Sequence, residues 1–402
     1  MKSIFAERGF RFYFAGQALS FVGDGLRTLA IPLLVFKLTG SALSLGITYA
    51  LEFLPFALFG LVGGSLADRL DRRRLMIGCD FVRFAIIGLF ALAYWRGFLS
   101  LTMLYAGIVL VSATAAVFMG GQASSIPYLL GKQRASQAIA ALIAAEQTSN
   151  LVTPPLGGLL FSLGGPLPAL VVNAFTYLTS QISIALVPTM GPEFPGGLPT
   201  LKELVADIRE SFRFLTADVA MRTVSLMSLG LNMFGMMATA VFIAFLKREF
   251  RASDAQVGLS FGIIAVGSLF GSVLAGSVGR SWPYGLSLCI AYTIDGLIFM
   301  PVIWAHDLWV VIGFWSLASI AASFEVTQIL GWRMRVIPED KVGRVFGVAR
   351  LIALIGVVPG TIGGGYLADH FGVRVPIVVS AVGYLLLASV AFAVPALRND
   401  KR

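Results

Sequence analysis

Cysteine and histidine are nearly absent from these 402 residues: Cys79, Cys289, His306 and His370 are the whole supply. Both cysteines sit in apolar runs, which excludes a disulfide framework and a thiolate zinc site. Two histidines leave little material for a metal centre or a catalytic triad. Charge is scarce as well, with Asp, Glu, Lys and Arg making up 13% of the chain, against about 25% in an ordinary globular domain. Apolar residues reach 57%. A water-exposed surface cannot be built from this material, so disordered, nucleic-acid-binding and soluble-enzyme classes drop out. No G-x-x-x-x-G-K-[ST] phosphate loop occurs, which excludes an ATP-driven pump within this chain. No cofactor is expected.

What is there in abundance is long apolar runs. A membrane-crossing helix needs roughly 20 mostly apolar residues. Twelve stretches qualify: 11–37, 42–66, 75–95, 100–122, 138–162, 166–188, 221–246, 257–278, 285–304, 309–330, 344–367 and 375–395. Short breaks such as Leu38-Thr39-Gly40, Arg96-Gly97 and Gly164-Gly165-Pro166 separate them. The segment 189–220 is the one long connector. It opens on Gly191-Pro192-Glu193-Phe194-Pro195 and continues with Leu201, Leu204, Ile208, Phe212 and Leu215 at helical spacing, which predicts an amphipathic helix at the membrane surface. Met1 to Gly9 shows no cleavable signal pattern, so the first run should remain as an anchor.

The basic residues predict the topology. Of 30 Lys and Arg, 21 fall in the tails, the 189–220 connector and the connectors after even-numbered spans, and six follow odd-numbered spans. Both termini and the long connector are therefore expected in the cytoplasm, with the lipid bilayer as the first partner. The net charge of +9 is mainly this orientation signal.

An internal repeat divides the chain. Gln17, Ser20, Asp24 and Arg27 line one face of the first span, and a shift of 208 residues lays Asp24 on Asn232 in the seventh. Val171 to Leu178 and Val378 to Leu385 correspond at a shift of 207. Spans five and eleven each carry proline followed by paired glycines: Pro154, Gly157 and Gly158, then Pro359, Gly363 and Gly364, read here as helix-packing hinges. The expected fold is an all-α integral membrane protein, with twelve transmembrane helices in two pseudo-symmetric six-helix bundles. The halves would be 1–188 and 221–402, joined by a cytoplasmic linker at 189–220. Parallel repeats of this kind are an architecture of secondary transporters.

The clearest motif lies between spans two and three: Gly64-Ser-Leu-Ala-Asp68-Arg69-Leu-Asp71-Arg72-Arg73-Arg74. It resembles the major facilitator superfamily signature G-x-x-x-D-R-x-G-R-R, with Asp71 where glycine is usual. The resemblance covers nearly the whole chain. It is nearest to the macrolide-efflux and siderophore-exporter branch, on Thr39-Gly-Ser-Ala42, Phe53-Leu-Pro55, Met76-Ile-Gly-Cys-Asp80 and Val342-Gly-Arg-Val-Phe346. It implies that Gly64, Asp68, Arg69, Arg72 and Arg73 form a cytoplasmic gate latch. Two features depart from the superfamily's proton antiporters. Span four has no ionisable residue, with Ser112 near the place of the usual arginine. The span-five signature G-P-x-x-G-G survives only from Pro154 onward.

Nine ionisable residues lie inside spans: Asp24, Arg27, Glu52, Asp80, Arg83, Glu146, Asp295, Glu325 and Arg350. Each costs roughly 2.5–3.5 kcal/mol at the bilayer centre, so each should face protein or water. Asp80 and Arg83, three apart, read as a structural pair, and Asp295 and Arg350 as structural too. The resemblance places spans one, five and ten on the central cavity, and Glu52 lies on span two ahead of Phe53-Leu-Pro55. The candidates for substrate or proton coupling are accordingly Asp24, Arg27, Glu52, Glu146, Asn150, Asn232, Glu325 and Gln328.

The sequence-level reading is a secondary active transporter and not an enzyme. It would be a proton-coupled exporter of amphiphilic small molecules, of drug or siderophore type, working by alternating access in the cytoplasmic membrane as a monomer. A lysophospholipid flippase and a metal-ion exporter of the same fold are the alternatives. Metal is disfavoured because no span offers a His or Cys cluster near a carboxylate.

Overall fold

A computed structural model describes residues 4–67, 70–187, 190–191, 201–277, 284–338 and 341–395. Fourteen α-helices and no strand occur among the described residues. They are α1 (Arg8–Thr39), α2 (Ala42–Ala67), α3 (Arg72–Trp95), α4 (Leu101–Leu130), α5 (Lys132–Gly164), α6 (Leu167–Ala185), α7 (Leu201–Ala217), α8 (Val219–Phe250), α9 (Asp254–Ser277), α10 (Tyr284–Trp304), α11 (Leu308–Val336), α12 (Val342–Ile355), α13 (Val357–Phe371) and α14 (Val375–Ala393).

Local chemistry explains where these helices begin and end. Asp71, Ser100, Asp218 and Asp307 each accept a hydrogen bond from a backbone N–H in the first turn of the helix that follows, as good N-caps do. Gly40 and Gly165 end α1 and α5 at φ of 62° and 66°, a region an L side chain enters only under strain.

Among the described residues ten helices are long and apolar enough to cross a membrane, with Val345–Phe371 taken as one, and the stretch Ala42–Pro55 is a shorter apolar helix. The two expected spans outside that ten are α2 and α5. In α5 the polar run Glu146-Gln147-Thr148-Ser149-Asn150 lowers the apolar character mid-helix. The eleventh stretch, expected as one helix, is two. Pro359 has no N–H to bond the Ile355 carbonyl, and at Gly356 the backbone comes so close to Leu229 of α8 that a Cβ would meet its carbonyl oxygen. The ladder lapses there and α13 starts afresh.

The chain separates into two compact units. The first is Met1–Leu38, Leu51–Pro199 and Ser253–Gly262; the second is Thr39–Ala50, Thr200–Ala252 and Ile263–Arg402. Each unit thus includes one short segment, the start of α9 or of α2, whose helix continues in the other.

Without a hydrophobic drive between helices in lipid, small residues and interhelical hydrogen bonds set the packing. In the first unit α1 presses on α6 at Gly16 and Gly23, where an added Cβ would strike Ser183 and Thr176. Gln17 Nε2 donates to Ser180 Oγ at 3.0 Å beside them. In the second unit Gly356, Gly360 and Gly364 of α13 meet Leu229, Met233 and Met237 of α8, one turn apart on both sides. Gly363 lies off that seam.

Gly158 and Gly365 have close counterparts on the segments that complete each unit. Gly158 of α5 abuts Gly258 of α9, and the Pro154 carbonyl faces that same Gly258. In the second unit Gly365 abuts Ala42 and Leu43, and the Thr361 carbonyl faces Gly46. Pro154 and Thr361 are 207 residues apart, as are Gly158 and Gly365, which is the shift seen between α6 and α14.

Candidate functional site

In the first unit five of the charged residues inside the expected spans form one connected chain with Tyr177. Arg83 is buried and pairs with Asp80 at 2.6 Å. Its guanidinium lies over the rings of Phe118 and Tyr177, at 4.5 and 4.9 Å from their centroids. The Tyr177 hydroxyl donates to Asp24 Oδ1. Arg27 stands 3.8 Å from Asp24 but 2.9 Å from Glu52, so its closer partner is Glu52 on α2. The sequence spacing pointed to Asp24 with Arg27 and to Asp80 with Arg83 as separate pairs. The fold joins them through Tyr177.

The chain holds three acids and two bases, so one negative charge is left uncompensated. Asp24 is the member that reaches water most, with its side chain 35% exposed against 19% for Glu52 and 12% for Arg27. Glu146 and Asn150 lie on the exposed face of α5, and Glu146 is within electrostatic reach of Asp24. Acids outnumber bases around this space, which suits a proton or a cationic group in exchange with it.

In the second unit two adjoining cavities meet at Asn232. One of about 270 Å³ is lined by Asn232, Asp295, Phe299, Trp315 and Tyr384 among others. The other, about 500 Å³, is lined by Ser228, Asn232, Arg333, Phe346 and Arg350. Asn232 Nδ2 donates to the Ser228 carbonyl one turn back, and Arg333 donates to Ser228 Oγ at 3.2 Å. Gln328 turns away from both, onto the Ala275 carbonyl of α9 at 3.4 Å. Glu325 is wholly buried.

Of the motif after α2, Asp68 and Arg69 and the side-chain surroundings of Gly64 lie outside the described residues. Arg72 donates to the Ser124 carbonyl at 3.1 Å, and Arg73 to the Ala185 carbonyl, tying the start of α3 to α4 and α6. Asp71 caps α3 by accepting from Arg74 N.

A second cluster was not anticipated. Asp369, near the end of α13, accepts from Ser41 Oγ at 2.6 Å and from the backbone N–H groups of Ala42 and Leu43 at 3.0 and 2.9 Å. Arg248 donates to the same carboxylate at 2.7 Å and to the Gly40 carbonyl at 2.6 Å. A carboxylate here meets both a cation and the positive end of α2. The signal was in the sequence: Gly364-Gly365-Tyr-Leu-Ala-Asp369 repeats the pattern Gly63-Gly64-Ser-Leu-Ala-Asp68. In the second copy the glycine permits the close approach to Ala42 and the aspartate four residues on receives the N–H groups. Asp369→Asn is expected to lower stability by about 1–2 kcal/mol, from the weakened cap and the lost charge at the helix end. Thermal unfolding of the purified protein measures this; an unchanged midpoint would show that the cluster adds nothing.

Known proteins agree with this architecture. Residues 3–402 match the family described as transmembrane secretion effector, a branch of the major facilitator superfamily. The enterobactin exporter EntS of Escherichia coli is 25% identical over 359 residues, spanning 84% of this chain and 80% of that protein. Among solved structures, a bacterial homologue of the iron transporter ferroportin in its inward-facing state has a TM-score of 0.75 at 17% identity, covering 97% of this chain and 99% of its own. A bacterial homologue of the human lysosomal transporter Spinster, inward-facing and unoccupied, gives 0.74 at 17%, with 98% and 97% covered. At such identities the structural likenesses establish the fold alone. Full-length agreement in sequence family and in fold, on a chain of apolar helices, makes this a multi-pass membrane transporter and not an enzyme: the chain belongs to the transmembrane secretion effector family of the major facilitator superfamily.

Proposed function

We propose that this protein is a proton-coupled exporter of amphiphilic small molecules, drug-like or siderophore-like, that works by alternating access. Twelve spans would form two six-helix halves, 1–188 and 221–402, rocking about a substrate site near the midplane. The 189–220 linker and both termini would lie in the cytoplasm, and the protein would act as a monomer in the inner membrane. The charge count supports that orientation, and the name of the enterobactin exporter relative supports export of a siderophore-type cargo.

The observation that carries the reading is the Asp80–Arg83–Tyr177–Asp24–Arg27–Glu52 chain, with its one surplus negative charge and its most exposed member at Asp24. Inside a bilayer such a surplus is costly unless a cation balances it. A proton on Asp24 balances it in one state, and a cationic substrate group in another. The two cannot be held together without restoring an imbalance, which is the logic of exchange. Its repeat mate Asn232 is uncharged, so only one half titrates at this layer.

The test is transport in proteoliposomes with an imposed pH gradient, screened across catecholate siderophores and cationic amphiphiles. Substrate accumulation driven by the gradient, and lost when a protonophore collapses it, is the expected result. Transport indifferent to every ion gradient would replace this reading with that of an uncoupled facilitator or flippase.

A further inference from the structure

Two acids within the helices that have a cation at close range are the buried Asp80 and the half-buried Asp369. Asp80 has Arg83, and Asp369 has Arg248, a serine hydroxyl and two backbone N–H groups. Asp295 of α10 and Glu325 of α11 differ. Both are buried, at 1% and 0% exposure, and none of their four carboxylate oxygens has a hydrogen-bond partner among the described residues. They lie within electrostatic reach of each other, and Asp295 lines the 270 Å³ cavity.

The surroundings give neither acid a counter-charge. Tyr292 faces the pair from α10 and Tyr384 faces it from α14. The Tyr292 hydroxyl also lacks a partner. Arg333 sits on the same helix as Glu325, but eight residues on, about 12 Å along the axis, and donates to Ser228 Oγ. Phe299, Trp315, Phe324 and Ala291 lie close by, and the polar residues that line the cavity with Asp295 are the uncharged Asn232, Thr239, Ser268, Ser319 and Tyr384. The internal repeat sharpens the contrast. Tyr177 and Tyr384 are repeat mates, 207 residues apart. Over the first lies the cation of Arg83, whereas near the second lies the carboxyl of Asp295.

An ionised carboxylate left in such a place costs several kcal/mol, and two cost more. A proton on one acid removes a charge and supplies a donor that neither acid now has. We propose that Asp295 and Glu325 form a proton-binding pair in the second unit, exchanging one proton with water in the adjoining cavity during the transport cycle. The step makes and breaks one O–H bond. A carboxylate takes the proton from cavity water and later returns it to water. The pair is separate from Asp24, and its part in transport rests on the proton-coupled reading above. Sodium is the less apt occupant, because hard cations gather about six oxygen ligands and the lining is mainly rings and methyl groups.

Two measurements on the purified full-length protein, without substrate, test this. The first is the infrared difference spectrum between high and low pH, for wild type and for Asp295→Asn, Glu325→Gln and Asp24→Asn. A carboxylic-acid C=O band lost in Asp295→Asn or Glu325→Gln but kept in Asp24→Asn is expected. The second needs no variant: dicyclohexylcarbodiimide attacks protonated carboxyls in apolar surroundings, and mass mapping should find it on Asp295 or Glu325. A band that persists in both variants, a wild type modified at neither acid, or protection by sodium at constant pH would each overturn the proposal. If either variant fails to fold, the wild-type mapping decides. Gradient-insensitive transport alongside a titrating pair would remove the coupled-export reading and leave the site.

Discussion

Asp24→Asn is expected to fold normally and to lose gradient-driven accumulation altogether, with substrate levels inside vesicles settling at equilibrium. Asparagine keeps an oxygen for the Tyr177 hydroxyl to donate to. Arg27 keeps Glu52 at 2.9 Å, so no buried cation is orphaned. What disappears is the surplus negative charge and the group that can carry its proton. Arg27→Gln should be worse for folding than Asp24→Asn, because it leaves Asp24 and Glu52 together without a base. A purely static role for Asp24 beside Arg27 predicts otherwise: the double variant Asp24→Asn/Arg27→Gln, although it leaves Glu52 without its 2.9 Å partner, would keep gradient-driven transport. pH-driven uptake at the wild-type rate in that double variant would end the claim for Asp24. Transport in Asp24→Asn that is still accelerated by the gradient would do the same.

Arg83→Leu is expected to destabilise the protein by about 3–5 kcal/mol, the cost of removing one partner from a buried ion pair. Asp80 is then alone at 0% side-chain exposure. The two rings that sandwich the guanidinium also lose a cation, worth about 1–2 kcal/mol when desolvated. The pair itself is a poor source of net stability, since separating each charge from water already costs most of what the attraction returns. The double variant Asp80→Leu/Arg83→Leu should therefore recover most of the lost stability. Thermal unfolding of both variants in detergent separates the cases. If Arg83→Leu melts with the wild type, the pair is not a closed, dry unit. If the double variant is as weak as the single one, the rings and not the charge carry the site. Because Tyr177 links Arg83 to Asp24, the recovered double variant also asks whether transport needs the charge or only the packing.

The spans were legible in the sequence because membrane crossing demands length and apolarity; their ends were less so, α4 running to Leu130 and α11 to Val336 against expected ends at 122 and 330, because an apolar window stops where polarity begins and the helix does not. Ten of the twelve expected runs meet that demand plainly. The break at Gly356 was hidden because an apolar window averages over a single glycine and proline. The charges themselves were legible; their partners were not. Spacing along one helix suggests i, i+3 neighbours, and Asp80 with Arg83 follows it, while Arg27 finds its closer acid on α2. Tyr177 stood inside the matched repeat from the start, yet a tyrosine among valines and leucines reads as packing until a carboxylate is seen at its hydroxyl. Asp295 read as structural for the same reason, since burial without partners is a property of three dimensions. The second Gly-Gly-x-Leu-Ala-Asp was visible and went unread because it ends a different helix, in a different half of the repeat.

The segment Ser253–Gly262 belongs to the first compact unit although it is made after most of α8, and Thr39–Ala50 belongs to the second although it is made before α3. For a chain threaded into a bilayer from its N-terminus, this fixes an order of completion. A nascent chain that has released residues 1–199 still lacks the glycine surface of α9 on which Gly158 and the Pro154 carbonyl close. The start of α2 meanwhile waits, with its first N–H groups unmet, until Asp369 emerges more than three hundred residues later. Neither unit can therefore mature while the other is missing, and a gene split at the central linker would yield two fragments that each need the other's first helical turns to finish folding.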